Sequence, residues 1–246
     1  MSHHFLEVKN LCFSYPDGTE ALRGLSFRLE HGEAVGVVGA NGAGKSTMLL
    51  SLAGLVMPSE GFVNLGGMIL SKNTVGEIRR RIGFLFQDPE DQLFMPTVFD
   101  DVAFGPLNQG LSASEVTARV KGALGDVGAV HLEDRPTYRL SGGEKRAVAI
   151  ATVLSMMPDV LVMDEPSSGL DPRGRRLLIC LLKKFSHTRL IATHDLDLVL
   201  DVCPRTIVLH EGAVAADGAT EEIFQDRGLL EKCHLELPLC MKGEVH

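Results

Sequence analysis

A glycine-rich segment at residues 39–46 has the residue types and the spacing that bind a chain of phosphates. It reads Gly-Ala-Asn-Gly-Ala-Gly-Lys-Ser and fits the pattern G-x-x-x-x-G-K-[ST] between a predicted strand and a predicted helix. Glycines let backbone N–H groups approach phosphate oxygens, and the following helix presents its positive N-terminal end to the same anion. Lys45 then reaches the β- and γ-phosphates, and the Ser46 hydroxyl binds Mg²⁺. We therefore predict a nucleotide-binding loop rather than a glycine-rich turn without function. Its predicted contacts are Gly39, Asn41, Gly42, Ala43, Gly44, Lys45, Ser46 and Thr47.

Two further apolar runs end in polar residues that suit phosphate chemistry. Val160–Met163 is followed by Asp164, which suits a Mg²⁺ contact, and by Glu165. Glu165 suits a base that activates water against the γ-phosphate, a role that contributes about 10²–10⁴-fold in rate. The alternative is that these carboxylates only cap the next helix. Leu190–Thr193 leads to His194, for which we predict a γ-phosphate contact rather than the role of an ordinary surface or core histidine.

Two adjacent glycines, Gly142 and Gly143, begin another predicted helix, which we call the glycine-pair helix. Ser141 and Glu144 have the spacing of a capping box, which is sufficient to start a helix. A capping box does not require two glycines between its ends, whereas Gly142 and Gly143 would expose backbone N–H groups to an anion. One domain has no evident use for a second phosphate-binding helix end unless it serves another subunit. We therefore predict that these four residues act in trans, on the nucleotide of a partner protomer.

The elements that position these residues are short strands alternating with helices. Strands are predicted at 5–11, 21–29, 34–38, 160–163 and 190–193, with hairpins at 61–71 and 206–216. Helical patterns cover 45–56, most of 88–155 and the C-terminal tail. This alternation predicts an α/β fold with a mainly parallel sheet. Because ligands bind beyond the carboxyl ends of such strands, the polar residues after Val38, Met163 and Thr193 should converge.

The composition is that of a globular protein with an acidic balance. Of the 246 residues, 45% are hydrophobic and 23% are charged, which excludes a disordered or fibrous chain. The 24 Lys and Arg against 32 Asp and Glu give a formal net charge of −8, so we expect no nucleic acid among the partners. We find neither a secretory signal nor an apolar stretch of about 18 residues. Five widely spaced cysteines favour reduced thiols in the cytosol.

These motifs, in this order, resemble the nucleotide-binding subunit of an ATP-binding cassette (ABC) transporter over residues 5–225. The resemblance implies a P-loop NTPase (RecA-like) core with an N-terminal antiparallel β subdomain and an inserted α-helical subdomain. We place the core and β subdomain at about 1–87 and 156–216, the helical subdomain at about 88–155 and a C-terminal appendage at about 217–246. It further implies an ATPase that buries ATP and Mg²⁺ between two head-to-tail protomers. The intact set of motifs favours a homodimer and leaves a heterodimer open.

The resemblance also assigns roles to residues outside the phosphate loop. Tyr15 lies where an aromatic ring stacks on adenine, and Gln87 lies where a glutamine links Mg²⁺ and the attacking water to the membrane partner. Asp171 matches an aspartate that couples the two active sites, and His194 matches the switch histidine. The implied catalytic residues are Lys45, Gln87, Glu165 and His194, and the implied Mg²⁺ contacts are Ser46, Gln87 and Asp164.

The glycine-pair segment departs from the family pattern at two places. Glu144 replaces the glutamine of many relatives and preserves the capping box. Arg146-Ala147 follows where a Gln-Arg pair is common, so no contact is carried over to Ala147.

The segments 86–94 and 98–108 are similar to ATPases of the energy-coupling factor importers, especially the cobalt/nickel branch. This implies a transmembrane coupling protein and a membrane substrate-binding subunit as partners, at the cytoplasmic face of the membrane. An importer for another solute, such as a vitamin, is the alternative. We hypothesise that Asp88, Glu90 and Asp91 face arginines of the coupling protein, although a solvated acidic loop would have the same composition.

Two other classes of protein share some of these features. Soluble ABC proteins of DNA repair or translation carry coiled-coil insertions or two cassettes, which do not fit in 246 residues. A small-molecule kinase with a P-loop would lack the glycine-pair helix. In the tail, a soft-metal site would need ligands at a standard spacing, which Cys233, His234, Cys240, Met241 and His246 do not have. The tail is better explained as a dimer-stabilising or regulatory appendage.

Overall fold

The computed structural model describes residues 4–241, which fold around two β-sheets. The strands are β1 (His4–Ser14), β2 (Glu20–Glu30), β3 (Ala34–Val38), β4 (Glu60–Leu65), β5 (Met68–Ile69), β6 (Ile82–Leu85), β7 (Val160–Asp164), β8 (Thr188–Ala192), β9 (Arg205–His210) and β10 (Ala213–Ala219). The helices are α1 (Lys45–Leu52), α2 (Val75–Arg81), α3 (Val98–Asn108), α4 (Ala113–Asp126), α5 (Gly142–Leu154), α6 (Pro172–Lys184), α7 (Leu196–Val202), α8 (Thr220–Gln225) and α9 (Arg227–Lys232).

The first sheet is antiparallel, with the strand order β2-β1-β4-β5. In β2 the apolar side chains of Leu25, Phe27 and Leu29 are buried and the intervening ones are exposed, as expected for a strand with one solvated face. This buried face shares an apolar cluster with Val35 of β3 and Ile207 of β9. The antiparallel sheet therefore covers one side of the second sheet.

The second sheet has the order β10-β9-β3-β8-β7-β6, and its neighbours pair in parallel except for β9 and β10. Every residue of β3, β7 and β8 is buried, which accounts for the apolar sequence of β3 and for the apolar runs 160–163 and 190–192 within β7 and β8. Because β8 lies between β3 and β7, the carboxyl ends of these three strands meet at one edge. The sheet thus provides the convergence predicted from the sequence.

Helices α3, α4 and α5 pack on one another beside this sheet. Val102, Val120 and Val148, one from each helix, are fully buried in a cluster that also contains Leu161 of β7. The predicted fold class, an α/β protein with an antiparallel β subdomain and an α-helical subdomain, is confirmed.

The structure differs from the sequence prediction in several elements. Helix α1 ends at Leu52 instead of residue 56, and Gly54 just beyond it has a φ of +64°, a left-handed conformation that ends helices. Helix α2 and strand β6 were not predicted, although β6 is the sheet strand that leads directly to Gln87. Helix α6 was not predicted either. Within the region predicted to be helical from about residue 88, the first α-helix is α3, which begins at Val98 after a 3₁₀ turn and a loop.

The C-terminal tail continues from α8 and α9 along the edge of α7. The Asp197 carboxylate on α7 accepts hydrogen bonds from the backbone N–H groups of Leu239 and Cys240, each at 3.0 Å. All five cysteines are free thiols. Within residues 4–241 no cluster of three His, Cys, Asp or Glu side chains could hold a metal ion, and His246 lies outside these residues. No helix in the same range is both long and apolar enough to span a bilayer.

Candidate nucleotide-binding site

The loop at 39–46 connects β3 to α1 at the edge where the parallel strands end. Two of its glycines are required by crowding from neighbouring backbone. A Cβ on Gly39 would lie 2.5 Å from the Leu209 carbonyl oxygen, and one on Gly44 would lie 2.6 Å from that of Ala21. Gly44 also has a φ of +100°, which disfavours any side chain. These contacts hold the loop against the sheet edge while its N–H groups remain at the start of α1.

Lys45 is buried within this loop. Its ammonium group donates to the carbonyl oxygens of Gly39 at 2.7 Å and Ala40 at 3.2 Å. Burial lowers the pKa of Lys45, while the nearby carboxylates of Glu165 and Asp164 oppose that shift. The lysine is therefore a cation held inside the loop, between the phosphate-binding backbone and two acidic residues.

Asp164, the last residue of β7, has the properties of a Mg²⁺ ligand. Burial raises the pKa of its carboxyl, and a hydrogen bond from the Ser46 hydroxyl lowers it in part. One carboxylate oxygen, Oδ1, is buried and has no hydrogen-bond partner among the described residues. A buried carboxylate oxygen without a partner next to a hydroxyl is the hard oxygen donor set that Mg²⁺ prefers. Ser46 and Asp164 thus fit this ion.

Glu165 turns out of the sheet immediately after Asp164. Its φ is +45°, in the left-handed region that is unfavourable for a residue other than glycine. Its buried carboxylate accepts a hydrogen bond from the Thr193 hydroxyl at 2.8 Å and lies 2.9 Å from Nδ1 of His194. The backbone N–H of His194 completes the set at 3.1 Å from Oε1. The carboxylate is held by side chains and backbone of the neighbouring strand end.

His194 itself is largely exposed, with 70% of its side chain accessible, beside the buried Glu165. The next residue, Asp195, caps α7 and forms a two-point ion pair with Arg175 of α6 at 2.7 and 2.8 Å. Arg175 lies one turn after Asp171, whose carboxylate caps α6 through the N–H of Gly174. The histidine loop and the loop that ends at Asp171 are thereby tied together.

Tyr15 and Gln87 are two further residues that the sequence analysis assigned to the nucleotide site. The Tyr15 hydroxyl is 2.9 Å from Oγ1 of Thr47 in α1, so its exposed ring lies beside the phosphate loop. Gln87 is exposed after β6, in an open groove that also contains Gly142 and Ser168. The described hydrogen bonds do not join the Gln87 side chain to Ser46 or Asp164, and its contact with Mg²⁺ stays a prediction.

Helix α5, the glycine-pair helix, begins with the predicted capping box. The Ser141 side chain accepts from the N–H of Glu144, and the Glu144 carboxylate accepts from the N–H of Ser141 at 2.8 Å. The hydrogen bonds that the backbone N–H and the hydroxyl of Ser141 donate to the Glu144 carboxylate lower the pKa of Glu144. A Cβ added at Gly142 or Gly143 would meet no atom of residues 4–241 within 4 Å. Crowding within the chain therefore does not explain these glycines, and no described hydrogen bond links residues 141–144 to residues 39–47.

The structure gives Arg146 a role that the sequence analysis missed. Its side chain is only 2% exposed, and burial lowers its pKa. The guanidinium donates to the carbonyl oxygens of Phe86 at 2.9 Å, Gln87 at 2.5 Å and Ser168 at 3.4 Å. It therefore joins the glycine-pair helix to the loops that carry Gln87 and Asp171. An arginine two positions beyond a capping box is ordinarily exposed, so only the tertiary contacts show this function. Thr193, Asp195 and Arg175 were missed for the same reason.

Taken together, the fold and the site define a P-loop nucleotide hydrolase. A family model described as ABC transporter matches residues 22–168. A putative ABC transporter ATP-binding protein of Geobacter sulfurreducens is 62% identical, with 99% of this chain and 98% of that protein covered. The energy-coupling factor transporter ATP-binding protein EcfA of Methanosphaera stadtmanae is 46% identical, with 95% and 86% covered.

Solved structures agree with these sequence matches. The structure of cbiO1 from Clostridium perfringens, part of the ABC transporter complex cbiONQ, has a TM-score of 0.83 at 40% identity and covers 94% of both chains. A dimeric, post-hydrolysis structure of the ATP-binding cassette MJ0796 with ADP and phosphate has a TM-score of 0.79 at 28% identity, covering 87% of this chain and 98% of that one. The chain belongs to the ABC transporter family, and it is an ATPase of that family.

Proposed function

We propose that this chain is the ATP-hydrolysing motor subunit of an energy-coupling factor importer. The observation that carries the catalytic part is the grouping of Lys45, Ser46, Asp164 and Glu165 at the edge formed by β3, β8 and β7. Lys45 neutralises the β- and γ-phosphates, and Ser46 and Asp164 hold Mg²⁺, which as a Lewis acid polarises the phosphoryl oxygens. Glu165 orients water for attack on the γ-phosphate. The second ring nitrogen of His194, Nε2, contacts the γ-phosphate, and Gln87 would link Mg²⁺ and the attacking water to the membrane partner.

The second part of the proposal is that two copies enclose the nucleotides. Glycine is a poor helix former, so two consecutive glycines at the start of a helix that have no steric reason among the described residues suggest an external ligand. Gly142 and Gly143 are exposed at the positive start of α5, which favours an anion. We infer that Ser141, Gly142, Gly143 and Glu144 bind the ATP of a partner protomer and that Asp171 couples the two sites. The dimeric MJ0796 cassette supports this arrangement.

The experiment that tests both parts uses Glu165→Gln. This variant should bind ATP, hydrolyse it slowly and accumulate as a closed dimer in size-exclusion chromatography with light scattering. Adding Gly143→Asp should abolish this dimer, because a carboxylate would face the phosphates. Gly122→Asp is the matched control and should leave the dimer intact, because this exposed glycine of α4 also has no atom of the described part of the chain within 4 Å of an added Cβ. Wild-type turnover by Glu165→Gln would remove Glu165 as the base, and a dimer that persists with Gly143→Asp would reject the trans site.

The membrane partner is proposed from the surface next to Gln87. Asp88 and Asp91 are exposed, while Glu90 forms an ion pair with Lys145. Phe94 is 63% exposed and makes an edge-to-face contact with Phe104, also exposed, at 5.0 Å between ring centroids. An acidic loop beside two exposed aromatic rings suits a cytoplasmic segment with arginines and an apolar face. We infer a transmembrane coupling protein as its source, together with a membrane substrate-binding subunit. The chain would then act at the cytoplasmic face of the membrane.

The resemblance to EcfA and to a component of the cbiONQ complex supports this partner. Affinity purification from native membranes should recover an integral membrane protein with the chain, and Asp88→Lys combined with Asp91→Lys should lose it without changing ATP binding. Glu221→Lys combined with Glu222→Lys, at two exposed glutamates of α8, is the charge-matched control. Recovery of the same membrane protein with the variant that carries both Asp88→Lys and Asp91→Lys would exclude these acidic residues from the interface.

For the transported solute we propose cobalt or nickel ions, on the sequence similarity of residues 86–108 to that branch. Vesicles that contain the purified complex should take up radioactive Co²⁺ or Ni²⁺ only with internal ATP. Uptake of a vitamin instead would leave the proposed ATPase function intact and show that the proposed solute is wrong.

A further inference from the structure

Thr193 follows β8 directly and is fully buried. Its hydroxyl oxygen lies 3.0 Å from the backbone nitrogen of Asp195 and 2.8 Å from Oε2 of Glu165. A backbone N–H can only donate, so the hydroxyl accepts from Asp195 and directs its one proton to the carboxylate. The direction of this hydrogen bond is therefore determined by the backbone, and a buried hydroxyl does not exchange it for water.

The two oxygens of the Glu165 carboxylate are held unequally. Oε2 contacts the Thr193 hydroxyl and Nδ1 of His194, and it lies 3.2 Å from the His194 backbone nitrogen. Among the described residues, Oε1 has one hydrogen-bond partner, that same backbone nitrogen, at 3.1 Å. Oε2 thus has its acceptor positions filled, whereas Oε1 retains capacity to accept another proton.

We propose that Thr193 is a positioning residue for Glu165, which occupies Oε2 and leaves Oε1 as the oxygen that accepts the proton of water. The inference rests on the function proposed for Glu165. The water oxygen forms a bond to the γ-phosphorus while its proton passes to Oε1. The bond between the γ-phosphorus and the bridging oxygen breaks, ADP leaves with that electron pair, and inorganic phosphate is the second product. Glu165 has a strained backbone and lies outside the strands and helices, and such strain persists only where surrounding contacts hold the residue. The contacts of its carboxylate with Thr193 and His194 provide this support.

The test compares Thr193→Val, Thr193→Ser and Thr193→Ala in steady-state ATP hydrolysis. Valine keeps the shape and removes the donor, so kcat should fall about 10- to 100-fold while KM for ATP stays within about twofold. Serine keeps the hydroxyl and should retain kcat close to the wild-type value. The ratio of the serine to the alanine variant isolates the hydroxyl if valine prevents folding. Thr188→Val removes another buried hydroxyl, at the opposite end of β8, and should leave kcat unchanged.

A second comparison, in which Thr193→Val is added to Glu165→Gln, separates the role of Thr193 from the role proposed for Glu165. In Glu165→Gln, single-turnover hydrolysis should be slow, and adding Thr193→Val should slow it no further, because the base that Thr193 positions is already gone. Wild-type kcat in Thr193→Val with a slow Glu165→Gln would overturn the role of Thr193 and leave that of Glu165 intact. An equal loss from Thr193→Val in both backgrounds would also overturn it, since the loss would not act through Glu165.

Discussion

Replacing Arg146 by methionine tests how the three loops around the site are held together. Methionine has a similar aliphatic length but removes every donor, so the carbonyl oxygens of Phe86 and Gln87 lose close hydrogen bonds. Each hydrogen bond to a charged group contributes about 1.5–3 kcal/mol. Relief of the cost of burying a guanidinium offsets part of this loss. We expect a net decrease of about 2–4 kcal/mol in the free energy of unfolding.

The assay is urea and thermal unfolding followed by circular dichroism. For a chain of about this length, 1 kcal/mol corresponds to roughly 2–4 °C, so Tm should fall by about 4–16 °C. Arg146→Lys should give a smaller decrease, because an ammonium group can donate but lacks the planar fork. Arg176→Met, at an exposed arginine of α6, is the control and should change stability by less than about 0.5 kcal/mol. Equal Tm values for Arg146→Met and Arg176→Met would refute this explanation of the buried arginine.

Two further substitutions test the ion pair and the phosphate loop. Burial opposes the charged form of Asp195, but hydrogen bonds from Arg175 and Leu198 outweigh it and lower its pKa. Its stabilising effect is present above the ordinary carboxyl pKa of about 3.9 and is lost as pH falls through the lower folded-state value. Asp195→Asn should therefore lower Tm at neutral pH and make Tm less sensitive to acid; parallel Tm curves for both proteins against pH would contradict this. Gly39→Ala should abolish ATP binding in a calorimetric titration, because the new Cβ would lie 2.5 Å from the Leu209 carbonyl oxygen. At Gly122 an added Cβ would have no described atom within 4 Å, so Gly122→Ala should bind ATP as the wild type does, and equal affinities for the two variants would exclude the predicted clash.

Local sequence patterns were sufficient for the elements whose structure depends on local chemistry. The apolar runs of β3 and β7 are buried strands because they contain little that could face water, and both are followed by the predicted polar residues. The capping box at Ser141 forms as predicted because its hydrogen bonds connect residues only three positions apart. In contrast, β6 has four residues and lies at the sheet edge, so it becomes a strand only by pairing with β7.

The residues of the site likewise fall into those that the sequence predicts and those that only the tertiary structure shows. Residue types and spacing alone pointed to Lys45, Ser46, Asp164, Glu165 and His194, because strand ends in a parallel sheet must meet at one edge. The sequence could not show that the Thr193 hydroxyl points at Glu165, or that Arg146 turns inward to Phe86 and Gln87. Those contacts join residues 28 and about 60 positions apart, and their geometry depends on how strands and helices pack. Local chemistry therefore determined which groups can react, and tertiary packing decided which groups hold them in place.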